Sequence, residues 1–215
     1  MSKTALLVGC GSKSGLDLTN AFLSAGYMVD LISSTNTEIL NTRQCRVNWD
    51  TLTQANIESF LKSSLEYDVV VFNQNARALE PTCYQLDRFN TIELWTCAKA
   101  WNQTYFNNCI LPFHIIHTLG NRCANAKIVW MLSELIYNHT PGVGYADYIG
   151  HKYQNYVLMK AFSQEYCCIG INRGKIKIQP TELVKFLEQS TNNINGKVFY
   201  SNGIEDTNFN RIINE

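Results

Sequence analysis

Several short segments of this chain are apolar almost throughout. They are TALLVGC at 4–10, YMVDLIS at 27–33, YDVVVFNQNA at 67–76 and AKIVWMLSE at 126–134. A strand without polar alternation is buried on both faces, which is the condition of a parallel sheet covered by helices. Helical patterns fall between these runs. GLDLTNAFLSAG at 15–26 places Leu16, Phe22 and Leu23 at helical spacing and closes on Gly26. TLTQANIESFLKSSLE at 51–66 reads as a helix with Thr53 at its N-cap. The stretch 86–119 reads as two helices and 146–168 as one. PTELVKFLEQS opens on Pro180, suits a helix start, and leads into a last strand, KVFYSN at 197–202. The alternation predicts an α/β fold: a Rossmann-type, doubly wound parallel sheet, with residues 1–215 as a single domain.

Bulk properties narrow the function. Lys plus Arg and Asp plus Glu are 18 each, which gives no support for binding nucleic acid or an anionic membrane surface. No run approaches the ~20 apolar residues of a membrane span, and the start flows directly into a glycine turn. A cytoplasmic chain with free thiols is expected, because none of the eight Cys forms C-x-x-C or zinc-finger spacing. His114 and His117 form H-x-x-H on a predicted helix with no carboxylate partner expected nearby, so no metal site is expected.

Sheets of this kind bind ligands beyond the carboxyl ends of their strands. The residues just after each strand are therefore the candidates. After the first strand, Gly9, Gly11 and Gly15 cluster where the chain turns into a helix. Glycine there permits φ > 0 and lets backbone N–H groups approach a phosphate. After the second strand there is no acidic residue to hold a ribose 2′-hydroxyl; Ser33, Ser34 and Thr35 stand there, and Lys13 offers a positive charge from the glycine turn. That favours NADP(H), with NAD(H) the other possibility. Ser133 ends another strand, and Tyr148 and Lys152 follow one helical turn apart on one face. Tyr156 and Lys160 repeat the spacing two turns further on and are read as structural.

The ordered set resembles the short-chain dehydrogenase/reductase superfamily. Gly11 and Gly15 match the first two glycines of T-G-x-x-x-G-x-G, FNQNA resembles N-N-A-G with Asn73 at its second Asn, and NCILPF resembles the segment bearing the active-site Asn, here Asn108. The resemblance implies a catalytic tetrad of Asn108, Ser133, Tyr148 and Lys152, and cofactor contacts that include Gly9, Gly11, Ser12, Lys13, Gly15, Leu16, Ser33, Ser34, Asp50, Asn73, Tyr148 and Lys152. It implies an NAD(P)(H)-dependent oxidoreductase interconverting a small-molecule carbonyl and an alcohol. It also implies a homodimer or homotetramer paired through helices at about 86–119 and 146–168.

The chain departs from the family in four places. The stretch between Asn73 and Asn108 is longer than usual and holds Tyr84, Phe89, Trp95, Trp101, Tyr105 and Phe106. Asp17 holds the third glycine position, Gln74-Asn75 replaces Ala-Gly, and the substrate-covering loop after the catalytic helix is deleted, so that CCIGINRGKIKIQ runs almost directly into the closing helix. These departures keep open a second reading, a nucleotide-binding regulatory or scaffold protein with little turnover. Epimerase or dehydratase chemistry on nucleotide sugars is less favoured, since such relatives carry a larger C-terminal substrate region.

Overall fold

The protein is described by a computed structural model covering residues 2–34, 38–47, 54–64, 66–74, 101–102, 104–137, 146–172 and 179–211. Thr35, Asp50, Thr53 and Asn75, like the whole stretch 86–100, lie outside the described residues. Seven strands form one sheet: β1 (Thr4–Val8), β2 (Met28–Ser33), β3 (Thr42–Arg46), β4 (Val69–Phe72), β5 (Lys127–Leu132), β6 (Cys167–Asn172) and β7 (Val198–Tyr200), in the order β3-β2-β1-β4-β5-β6-β7. Each neighbouring pair is parallel. The expected doubly wound architecture is the observed one.

The chain winds outward from β1 to β3 and then restarts at β4 on the other side of β1, so the order reverses between β1 and β4. Crevices at such reversals are where this class of sheet receives ligands. Along β1, Leu6 and Val8 face one core, with Ile57 and Leu61 of α2 (Gln54–Lys62), Leu111 and Ile115 of α3 (Leu111–Leu119), and Tyr156 and Met159 of α4 (Ala146–Phe162). Ala5 and Leu7 face the other core, with Leu18 and Phe22 of α1 (Lys13–Ser24) and Leu183 and Leu187 of α5 (Pro180–Gln189). Both faces of the strand are buried, as its unbroken apolar run requires.

Two segments differ from the sequence reading. TRQCR forms the edge strand β3, whose one buried residue is Cys45, so it carries too little apolar pattern to be read as a strand. The helix expected over 146–168 ends at Phe162, and Cys167–Asn172 is instead an inner strand, β6, paired along its length with β5 and at Gly170–Asn172 with β7. A Gly at 170 hid it, although the sheet needs a small residue there: a Cβ would lie 2.6 Å from Leu132 Cδ1. The strand is therefore kept, ending at Asn172, and α5 begins at Pro180. His114 also has a carboxylate neighbour that its local sequence does not reveal, with Nε2 3.9 Å from Glu58 Oε1 of α2.

Candidate active site at the carboxyl ends of the strands

The glycine turn is built by close backbone packing. Gly9 has φ 78°, and a Cβ there would lie 2.8 Å from Gln74 Cα. At Gly15 a Cβ would lie 2.5 Å from Cys10 Cα, so only glycine lets the first turn of α1 rest on the loop backbone. Ser12 caps α1, its side chain accepting from Gly15 N at 3.3 Å, and Leu16 N donates to Ser12 O at 2.8 Å. Lys13, Ser14 and Asp17 are exposed along this turn, while Gly11 is half-buried. Asn73 ties the turn to β4: its N donates to Val8 O at 2.9 Å and its Nδ2 to Gly9 O at 3.3 Å.

On the far side of the reversal, Lys152 of α4 is only 1% exposed. Its ammonium donates to Gln74 O and to Met131 O, both at 2.8 Å, and so bridges the ends of β4 and β5. A buried ammonium is tolerated only with such partners. Nζ also lies 5.8 Å from the centroid of the Tyr148 ring, one turn earlier on the same helix. Tyr148 and Ser133 are buried at 6% and 7% exposure. Ser133 directly follows β5, and its Oγ accepts from Leu135 N at 3.3 Å as the cap of a single 3₁₀ turn, Glu134–Ile136. Asn108 is fully buried in a π-helical turn, Phe106–Ile110, that leads into α3. Such turns widen a helix by one residue and re-aim its side chains.

Cys109, in the same turn, comes within 3.2 Å of Gln154 Oε1. Burial pushes its thiol up to about 12, only partly offset by the Lys152 charge. It is a packing residue, not a nucleophile. Tyr156 and Lys160 are placed away from the reversal, their side chains donating to Phe209 O at 3.0 Å and to Gly196 O at 2.9 Å. Both are structural ties.

Two features could not be read from local sequence. The register sets Ser33 opposite Arg46, which brings an exposed guanidinium to the carboxyl edge beside the end of β2. Recognising β3 as a strand was the signal needed. Gln74, at the end of β4, is buried against Gly9, and its Nε2 has no acceptor among the described residues. A buried amide of that kind is satisfied when a phosphate or ribose oxygen reaches it. The exposed Lys13 and Arg46, the start of α1 and this amide are donor groups of the kind that a dinucleotide's phosphates take.

No family model matches the chain, and no curated protein matches it in sequence. Solved structures do match in fold. An oxidoreductase of the short-chain dehydrogenase/reductase family from Brucella ovis, in complex with a partially ordered NAD, superposes with a TM-score of 0.71 at 16% identity, covering 93% of this chain and 99% of that one. A second Brucella ovis oxidoreductase of that description gives 0.69 at 17% identity over 92% and 99%. An apo SCOR enzyme from Clostridium thermocellum gives 0.71 at 16% over 93% and 91%. The fold is therefore that of the short-chain dehydrogenase/reductase structures. No described helix is long and apolar enough to cross a membrane.

Proposed function

We propose that this chain is an NAD(P)(H)-dependent oxidoreductase that interconverts a carbonyl and an alcohol. One observation carries the reading: a fully buried ammonium, Lys152, joins the ends of β4 and β5 beside the sheet's reversal and lies one helical turn from a buried phenol, Tyr148. A phenol ordinarily holds its proton to pH ~10, and a neighbouring cation favours the phenolate. Tyr148 would thus exchange a proton with the substrate oxygen. Ser133 would donate a hydrogen bond to that oxygen as negative charge grows on it. Asn108 would hold a water through which the proton reaches solvent. The bound dinucleotide supplies or accepts the hydride. Gly9, Gly11, Ser12, Gly15, Leu16 and Asn73 would frame its pyrophosphate and riboses, with Gln74 an additional donor; Asp50 remains a proposed contact.

NADP(H) is the favoured form. Ser33 and Ser34 leave no carboxylate at the end of β2, Arg46 stands opposite Ser33 in the register, and Arg46 and Lys13 are exposed cations of the kind that would favour a 2′-phosphate. Titrating the protein with NADPH and NADH by fluorescence tests this. NADPH should bind at least about tenfold more tightly, and Arg46→Ala should remove most of that preference, since a charge-assisted contact contributes ~1.5–3 kcal/mol. A protein that binds neither nucleotide sinks the proposal.

Trp101, Tyr105, Ile110 and Phe113 on the run leading through α3, with Tyr153 and Val157 on α4, are large apolar side chains left exposed. They support a homodimer or homotetramer paired through these helices. A cytoplasmic setting accords with six described cysteines that are all free thiols.

A further inference from the structure

The carboxyl ends of β5, β6 and β7 hold a buried polar cluster that the proposed chemistry does not use. Its centre is Asp206, 1% exposed. One oxygen, Oδ1, accepts from Asn208 N at 3.1 Å and caps the short helix α6 (Thr207–Arg211). The other, Oδ2, accepts from Asn172 Nδ2 at 2.6 Å and from Tyr137 Oη at 3.2 Å. Asn172 Nδ2 also donates to Tyr137 Oη at 2.9 Å, closing a triangle of three side chains. Phe209 of α6 packs edge-on against Tyr137 with ring centroids 5.0 Å apart, and Tyr156 Oη fixes the same residue through its carbonyl.

Both partners of Asp206 are tied to the chain on either side of Ser133. Asn172 is paired in register with Leu132, the residue before Ser133. Tyr137 ends the 3₁₀ turn that Ser133 caps, a turn closed by Leu135 N on Ser133 Oγ, Ile136 N on Ser133 O and Tyr137 N on Glu134 O. That turn is one hydrogen-bonded loop with half-buried side chains, and a lone turn of this kind is marginal without tertiary support.

We propose that the C-terminal segment around Asp206 is a strap that positions the Ser133 hydroxyl, acting through Tyr137 and Asn172. It rests on the reading of Ser133 as the donor to the substrate oxygen. Asp206, Tyr137 and Asn172 are positioning residues and need not touch substrate. The helix cap uses one carboxylate oxygen and the strap uses the other, so the two roles can be separated by mutation.

Tyr137→Phe is the clean variant, because it keeps the ring contact with Phe209 and the α6 cap and removes only the hydroxyl. Two readouts apply. By amide hydrogen exchange, Leu135, Ile136 and Tyr137 should lose protection about tenfold or more while the α4 amides keep theirs. With NADPH and a panel of aliphatic and aromatic ketones, kcat should fall about tenfold or more, with KM and the NADPH Kd little changed, because small misplacement of a reacting group costs up to ~100-fold. In a Ser133→Ala background the same change should have no further effect on kcat. Asp206→Ala should act in the same direction and more strongly, with Asp206→Asn partly restoring both readouts. Unchanged protection of the three amides overturns the strap. So does an undiminished effect of Tyr137→Phe when Ser133 is already alanine. A wild-type protein without ketone turnover overturns the proposed function instead, and the exchange data still decide whether the strap holds the turn.

Discussion

The two sides of the sheet's reversal are built by different means. In the turn after β1, positions are set by backbone against backbone: Gly15 on Cys10, Gly9 on Gln74, and Gly9 N donating to Ile32 O at 2.8 Å. From β5 to β7, positions are set by buried side chains reaching across long sequence separations, as in Lys152 on Gln74 and Met131, or Asp206 on Asn172 and Tyr137. The first construction presents main-chain donors and needs little more than glycines. The second presents hydroxyl and ammonium groups, each of which needs its own supports. The turn after β1 is assembled largely from nearby residues, whereas the surroundings of Lys152 and Ser133 draw on contacts from distant parts of the chain.

The largest expected disruption breaks the backbone-built side. Gly15→Ala drives a methyl group to 2.5 Å from Cys10 main-chain atoms, which cannot swing aside. A loss of roughly 1–3 kcal/mol is expected from such overpacking. At roughly 2–4 °C per kcal/mol for a chain of this size, thermal unfolding should shift by several degrees, and NADPH affinity should fall with it. An unaltered melting temperature would mean that the turn has more slack than its packing indicates.

A smaller effect sharpens the contrast from the other side. Burial pushes the thiols of Cys109, Cys123 and Cys168 up to about 12, about 11 and about 12. Cys168 lies in β6, within the side-chain-built half, and Cys109 and Cys123 lie in the turns that flank α3. An unfolded thiol ionises near pH 8.5, so above that pH the unfolded chain sheds protons that the folded one keeps. Stability is therefore complete below pH ~8.5 and declines as pH rises toward 11–12. Urea midpoints measured from pH 7 to 10 should fall progressively, and alanine at these three positions should flatten the decline. A flat profile in the wild type would contradict the burial of these thiols.

The parts legible in the sequence were those with a local signature. Strands β1, β2, β4 and β5 are apolar runs, and Pro180 and Gly26 punctuate their helices. Gly9, Gly15, Asn73, Ser133, Tyr148 and Lys152 stand just beyond strand ends or on the helix that faces them, which is where an α/β sheet puts its ligands. Other parts have no local signal. β3 is an exposed edge with a single buried residue, so Arg46 could not be placed beside Ser33. β6 is short and contains Gly170, and periodicity alone does not separate such a run from the tail of a helix. Asp206 meets Tyr137 across 69 positions of chain, and nothing near either residue announces the other.

The central claim is that Tyr148 moves the proton beside a bound nicotinamide dinucleotide. The most direct measurement pairs NADPH binding with NADPH-dependent ketone reduction in the wild type and in Tyr148→Phe. The account predicts that the variant binds NADPH as the wild type does and loses turnover by about 100-fold or more, the scale of general acid–base catalysis. Turnover that survives the loss of the phenol hydroxyl would contradict it.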